Sequence, residues 1–203
     1  MAMNDMTPSE RYVQELFYTR YQIHLSKIDE AHGRDGKTPD FECVEHGRRV
    51  FVCELKDFEI VLPSKETGWE IKSYPDGTEE ATRTSNALNR VSRAIYAAYK
   101  QMENYSEPKA LVFLNYGWNL DVRDLEDTFR GFNAFSVGNI RYVNTYARRA
   151  SEGVIKDIKR KIDLYIWIDA ASKRVSIQED QICFRNVAEA GRKLAFEYFG
   201  ITE

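Results

Sequence analysis

Three charged residues, Asp40, Glu54 and Lys56, are spaced so that two carboxylates and an ammonium could meet. Asp40 follows Pro39 at the start of one apolar stretch, and Glu54 and Lys56 lie in the next stretch, beyond a turn at Gly47. Carboxylate oxygens are ligands that Mg²⁺ prefers, and a neighbouring ammonium can orient a water or stabilise developing negative charge. These residue types therefore suit a hydrolysis assisted by a hard cation.

The alternation of apolar and polar residues in 38–57 predicts two paired strands and their register. One face is apolar and comprises Phe41, Cys43, Phe51, Cys53 and Leu55. Burying both apolar sets against one core puts Phe41 opposite Cys53, because a one-residue slip would turn either set to water. Asp40 must then lie across from Glu54, so the register alone brings the charged residues together.

The same register predicts how the two strands connect. With Cys43 opposite Phe51, an odd number of residues separates the pair. We therefore expect a loop with an odd number of residues around His46, Gly47 and Arg48, carrying a bulge, rather than a two-residue turn.

The elements that position this hairpin predict a single α/β domain over 1–203, with a mixed central sheet and helices on both sides. Thr7, Pro8 and Glu10 have the pattern of a capped helix start, so a helix is expected to about Arg20. The remaining expectations are a first strand at 21–29, an irregular insertion or extra hairpin around 59–83, a helix at 84–105, a buried strand at 109–116, a short helix at 121–132 and a strand at 141–146. A C-terminal elaboration, 120–203, is expected to end with a β-hairpin over 163–178 and a helix over 182–199.

Composition narrows the class of protein. A net charge of −3 does not fit a basic nucleic-acid coat protein, although basic residues can still concentrate in one groove. No apolar run approaches the length of a membrane span, so we expect no membrane partner and a cytoplasmic location. The three cysteines, Cys43, Cys53 and Cys183, do not have the spacing of a zinc site or a disulfide scaffold.

Pro39-Asp40, a turn, and then Glu54-Leu55-Lys56 resemble the motif of the PD-(D/E)XK nuclease superfamily. The resemblance covers residues 8–57 and, by element order, 84–116. It implies a restriction-endonuclease-like core and an endonuclease or exonuclease that uses Mg²⁺, or Mn²⁺ as a substitute, to hydrolyse phosphodiester bonds. Nucleic acid, with DNA as the expected substrate, is the implied partner, and a homodimer is left open. The resemblance implies that Asp40, Glu54 and the Leu55 carbonyl hold the metal, while Lys56 acts on the water or the transition state.

The same resemblance suggests Glu10, on the first helix, as a further metal ligand, with Glu15 as a lesser candidate. Glu10 is equally the natural capping-box partner of Thr7, so a structural role stays open. Gln101 and Tyr105 resemble a glutamine–tyrosine element of some families in the superfamily. They lie at the far end of their helix, after an insertion, so we interpret them as solvated residues.

Basic residues suggest contacts to phosphates by charge attraction, and they are Arg83, Arg90, Arg93, Arg148, Arg149, Lys156, Lys159 and Lys161. Three alternatives to a nuclease stay open. The trio of Asp40, Glu54 and Lys56 could be a solvated cross-strand cluster that contributes at most about 1 kcal/mol. The chain could be a non-catalytic nucleic-acid-binding module of the same fold. It could also be a protein-interaction or regulatory domain, which its mild acidity and its aromatic content of 13% suggest.

Overall fold

The computed structural model describes residues 6–29, 38–58, 69–73, 75, 79–83, 86–117, 120–130, 133–137, 140–144, 155–170, 174–179 and 189–201. The helices in these ranges are α1 (Pro8–Tyr21), α2 (Asn86–Met102), α3 (Val122–Arg130) and α4 (Glu189–Phe199). The strands are β1 (Leu25–Lys27), β2 (Phe41–Glu45), β3 (Arg48–Phe58), β4 (Trp69–Ser73), β5 (Glu79–Arg83), β6 (Lys109–Asn115), β7 (Asn133–Val137), β8 (Ile140–Asn144), β9 (Leu164–Asp169) and β10 (Arg174–Glu179).

Six of these strands form one mixed sheet in the order β1-β2-β3-β6-β9-β10. The β3–β6 and β6–β9 pairs are parallel, and the other pairs are antiparallel. Helix α2 lies in the chain between the parallel strands β3 and β6, as a parallel crossover requires. Two separate hairpins, β4–β5 and β7–β8, stand apart from the sheet. The predicted α/β class, with a mixed sheet flanked by helices, is confirmed.

The sheet has a hydrophobic core on each face. Helices α1 and α4 cover the first face, which includes Phe41, Cys43, Phe51, Cys53 and Leu55. Helices α2 and α3, with residues 155–162, cover the second face, which includes Val52, Phe58, Leu111, Phe113 and Trp167. Because β3 and β6 are covered on both faces, residues 51–55 and 110–115 are buried without alternation. The face that carries Glu54 is therefore interior rather than solvated.

The predicted register of the β2–β3 hairpin is confirmed. Phe41 pairs with Cys53 and Cys43 pairs with Phe51, so both apolar sets lie in the first core. The two thiols are free and buried, as expected for small core residues.

The predicted connection between these strands is wrong in its form. Glu45 pairs with Arg48, so His46 and Gly47 make a two-residue turn. Both have positive φ, 50° and 74°, the combination that matches the right-handed twist of the flanking strands. The extra residue of the longer strand is Val50, which has no partner on β2 and forms a bulge that shifts the register by one.

Most other elements appear where they were expected. Helix α1 starts with the predicted capping box, and β6, the C-terminal hairpin β9–β10 and the last helix are present. The insertion contains the β4–β5 hairpin. The first strand is shorter than predicted, because α1 extends to Tyr21 and ends on Gln22 in the left-handed conformation. Strand β7 was not predicted, and residues 181–188, where the last helix was expected to begin, lie outside the described ranges. In the part of the chain that is described, every helix is too short or too polar to cross a membrane.

Candidate functional site

The hairpin brings Asp40, Glu54 and Lys56 together, as the register predicted. The Asp40 backbone N–H donates to Glu54 Oε2 at 3.3 Å. The Leu55 backbone N–H donates to Asp40 Oδ2 at 2.8 Å, which fixes the aspartate across the two strands. Lys56 Nζ lies 2.5 Å from Glu54 Oε1, so the three charged groups form one connected cluster.

A fourth residue, Gln101, joins this cluster from helix α2. Its Oε1 atom accepts a hydrogen bond from Lys56 Nζ at 2.7 Å. Gln101 was interpreted as a solvated residue; it is half-buried and also contacts the site, because α2 lies over the face of β3 that carries Glu54 and Lys56. Its resemblance to the glutamine–tyrosine element was the available signal. Tyr105 lies instead under the Arg49 guanidinium, 5.3 Å from ring centroid to cation.

Burial raises the pKa of both carboxyl groups. Glu54 is fully buried, and burial together with the negative charge of Asp40 raises its pKa to about 8. The Lys56 ammonium and the Asp40 N–H act in the opposite direction. The pKa of Asp40 is also raised, mainly by burial, against the effect of the Leu55 N–H and Lys56. Two carboxyl groups are thus held side by side where the protein disfavours charging both, a pattern typical of functional sites.

The donor set fits a hard divalent cation. The Glu54 carboxylate accepts the Asp40 N–H and the Asp40 carboxylate accepts the Leu55 N–H, so the two carboxyl groups lie close together on adjacent strands and both can approach one ion. Within the described ranges, no three His, Cys, Asp or Glu side chains are grouped in a way that would hold a metal. An ion bound here would take the Asp40 and Glu54 carboxylates and fill its other positions from the Leu55 carbonyl and water, which suits Mg²⁺ better than zinc.

Glu10 has the structural role that was weighed against metal binding. Its Oε2 atom accepts the Thr7 backbone N–H at 2.6 Å, and Thr7 Oγ1 accepts the Glu10 N–H at 3.2 Å. Lys27 Nζ on β1 lies 3.0 Å from the Glu10 carboxylate. The capping box is confirmed, and a metal role for Glu10 stays a prediction. Its charge does reach the site, since it contributes to the raised pKa of Asp40.

Asp57 follows Lys56 but points to the opposite face of the sheet. Ser9 Oγ on α1 donates to Asp57 Oδ2 at 2.9 Å and lies 3.2 Å from the Tyr116 hydroxyl. These contacts tie the start of α1 to the ends of β3 and β6. Asp57 therefore supports the position of the strand end rather than joining the carboxyl pair.

The basic residues proposed as phosphate contacts differ in their exposure. Arg93, Lys156 and Lys161 are exposed, and the Arg90 guanidinium lies 5.4 Å from the centre of the Phe58 ring. Lys159 is buried and donates to the Phe129 carbonyl at 2.6 Å, so it stabilises the interior instead of facing a phosphate. The side chain of Arg83, together with Arg148 and Arg149, lies outside the described residues.

Comparison of the chain with models of protein families, with curated proteins and with solved structures returned no match. No relative therefore indicates a fold family, a substrate or a partner. The function has to be argued from the geometry of the site alone.

Proposed function

We propose that this chain is a metal-dependent nuclease of the PD-(D/E)XK type, with a restriction-endonuclease-like core, that hydrolyses phosphodiester bonds in nucleic acid, with DNA as the expected substrate. The observation that carries this proposal is the pairing of Asp40 with a fully buried Glu54 beside the Lys56 ammonium. A solvated charge cluster would not place a carboxylate inside the protein, where desolvation costs free energy.

The order of elements gives independent support. A capped helix, a short strand, the β2–β3 hairpin, a helix and a parallel strand occur in the order that the resemblance implies, with the β4–β5 hairpin inserted before the second helix. The site lies where β3, at the middle of the sheet, meets the start of β2. Glu54 lies within β3, and Asp40 directly precedes β2 and accepts the Leu55 N–H, so both carboxyl groups are held by the paired strands.

Each residue of the site has a distinct role in the proposed reaction. Asp40, Glu54 and the Leu55 carbonyl would hold the cation, which supplies charge neutralisation and a more acidic water when bound. Lys56 donates hydrogen bonds to the attacking water or to a phosphoryl oxygen, on which negative charge develops. Gln101 Oε1 accepts a hydrogen bond from the ammonium and thereby limits the directions in which Lys56 can donate its other hydrogen bonds.

The proposal is tested by measuring metal binding and cleavage on the same variants. Mn²⁺ binding is followed by calorimetry, and cleavage of supercoiled plasmid and of single-stranded circular DNA by gel. Asp40→Asn is expected to lose Mn²⁺ binding and at least 100-fold of the cleavage rate, because the ion loses one of two carboxylates. Glu42→Gln is the matched control, since Glu42 lies on β2 but its carboxylate pairs with Arg49 at 2.5 Å.

Three outcomes separate the candidate functions. Loss in Asp40→Asn with full activity in Glu42→Gln supports the nuclease. Salt-dependent DNA binding without Mn²⁺ affinity or cleavage would instead identify a non-catalytic binding module. If the wild-type chain has no affinity for metal or nucleic acid, the nuclease and the binding module are both excluded, and the protein-interaction domain is the remaining candidate.

A further inference from the structure

Helix α1 and strand β1 run side by side in opposite directions, because only Gln22, Ile23 and His24 separate them. Three contacts join them in succession: Glu10 with Lys27, Gln14 with Leu25, and Tyr18 with His24. The first is the ion pair beside the candidate site, and the second is a hydrogen bond from Gln14 Nε2 to the Leu25 carbonyl at 2.7 Å. The third is a ring contact with centroids 4.6 Å apart. The line of contacts between α1 and β1, called the α1–β1 seam below, therefore extends from the carboxyl site to the Tyr18–His24 pair.

A groove of about 510 Å³ lies along this seam. Its floor includes the buried side chains of Ile23 and Leu25, and its exposed rim includes Arg11, Tyr18 and His24. That volume lies within the range of small-molecule sites and is large enough for one nucleotide, but not for a duplex. An apolar floor with aromatic and cationic groups on the rim matches what a nucleotide presents, namely a flat base and a phosphate.

We propose that this groove, called the α1–β1 groove below, binds one unpaired nucleotide of the strand whose phosphate lies at the Asp40 site. The inference rests on the proposed function and assigns it a substrate class, nucleic acid with a single-stranded segment next to the scissile bond. Tyr18 stacks on the base, and Arg11 contacts a phosphate. The base has to be unpaired, because a base inside a duplex keeps its faces covered by its neighbours.

The Tyr18–His24 pair has the features of a stacking platform for a base. Tyr18 keeps 48% of its surface exposed although its ring already contacts His24. That contact restrains the tyrosine before any ligand binds, so stacking loses less side-chain entropy. Exposed and restrained aromatic rings are the platforms on which proteins stack unpaired bases.

The position of the α1–β1 groove relative to the carboxyl site fits a continuous strand. Eight residues separate Glu10 from Tyr18 on α1, which corresponds to about 12 Å along the helix axis. A strand advances about 3.4 Å per stacked nucleotide and more when extended, so a few nucleotides cover this distance. Glu15 on the rim offsets part of the Arg11 charge, so stacking should contribute more to binding than phosphate attraction.

The test measures binding of a fluorescein-labelled 12-nucleotide oligothymidine by anisotropy in EDTA, where no cleavage occurs. Tyr18→Ala is expected to weaken binding about tenfold, because one base loses its stacking partner. Tyr18→Phe keeps the ring and should bind within about twofold of wild type. Tyr96→Ala is the matched control, since Tyr96 on α2 is 45% exposed and lies outside the α1–β1 groove. A duplex of the same length should bind equally to the wild type and to Tyr18→Ala.

The failures of the two proposals are distinguishable. If wild type binds the oligonucleotide and cleaves DNA, but Tyr18→Ala binds as well as Tyr96→Ala, the α1–β1 groove proposal is wrong and the nuclease proposal stands. An equal effect of Tyr18→Ala on single strand and duplex would overturn the requirement for an unpaired base. If wild type neither binds the oligonucleotide nor cleaves DNA with Mn²⁺, the proposed function fails and this inference fails with it.

Discussion

Two glutamate–lysine pairs lie on neighbouring parts of this protein, one at the start of α1 and one in the middle of the sheet. Glu10 pairs with Lys27 at the sheet edge, and Glu54 pairs with Lys56 on β3. Both carboxylates are almost buried, and both lysines are partly exposed. Their surroundings differ in one respect: Glu10 also accepts a backbone N–H at a helix N-terminus, whereas Glu54 has another carboxyl group, Asp40, beside it.

Under the proposed function, this difference separates a structural pair from a functional one. Glu10 lies in the first turn of a helix, accepts a backbone N–H and contacts an ammonium, so each of its contacts is one that stabilises a helix start. The groups around Glu54 oppose one another, because Asp40 and burial disfavour the charge that Lys56 favours. Under the proposed function, a bound cation would favour the charged form of both carboxyl groups and so offset the effect of burial.

The largest expected effect is on the cleavage rate, when the lysine of each pair is replaced in turn. Lys56→Met should lower the cleavage rate at least 100-fold, because the reacting water and phosphate lose their charged donor. Lys27→Met should stay within about tenfold of wild type, since Lys27 contacts Glu10 at the end of the cap. Cleavage rates at saturating Mn²⁺ check this pair. Equal losses would show that the two ion pairs belong to one catalytic unit.

The second prediction compares the glutamates through the stability of the metal-free protein. In the folded state the Glu54 pKa is raised from 4.5 to about 8, so the native state binds the proton more tightly than the unfolded chain. The free energy of unfolding therefore falls as pH rises from about 4.5 to about 8. Glu54→Gln lacks this loss and should be more stable than wild type at pH 9, by on the order of 2 kcal/mol.

Glu10→Gln provides the contrast for that measurement. It weakens the ion pair and the favourable charge at the helix start, so it should lower the free energy of unfolding by about 1 kcal/mol at pH 9. Urea unfolding in EDTA at pH 5 and pH 9 measures both variants. A stabilising Glu10→Gln, or a Glu54→Gln with the same pH dependence as wild type, would contradict the division into structural and functional pairs.

Local patterning was enough to predict one contact of each glutamate. The Thr7–Glu10 capping box is contained in four consecutive residues, and the Asp40–Glu54 contact follows from alternation in two adjacent strands. Both depend on short-range geometry, which a period of 2 or 3.6 residues specifies. The turn form was missed because a bulge and an odd loop preserve the same register, and the sequence does not distinguish between them.

Long-range packing decides what could not be predicted. The contact between Lys56 and Gln101 spans 45 residues and depends on where α2 crosses the sheet. The burial of Glu54 also depends on α2, because alternation shows that two faces exist but not that both are covered. The proximity of Asp40, Glu54 and Lys56 could therefore be predicted from the sequence, whereas the burial of Glu54 and the contact with Gln101 could not.

The third prediction concerns Gln101. Gln101→Met removes the acceptor for the Lys56 ammonium while keeping the side-chain volume, and it should lower the cleavage rate about tenfold by loosening the lysine. Mn²⁺ affinity should be unchanged, because Gln101 contacts Lys56 rather than the carboxyl oxygens. Glu103→Gln, two residues along the chain, is the control. Lower Mn²⁺ affinity in Gln101→Met would mean that the residue acts on the metal site itself.

The smallest expected effect is that of Thr7 variants on Mn²⁺ affinity, which tests whether Glu10 has a role beyond capping α1. Thr7→Ala removes the side-chain acceptor for the Glu10 N–H and should lower the free energy of unfolding by about 1 kcal/mol, while Thr7→Ser restores it. If Glu10 only caps α1 and neutralises Lys27, Mn²⁺ affinity will be the same in all three proteins. If Glu10 is a metal ligand that the cap restrains, loosening the cap will change Mn²⁺ affinity in Thr7→Ala and not in Thr7→Ser. Calorimetry beside urea unfolding on the same samples decides between a cap and a third carboxylate ligand.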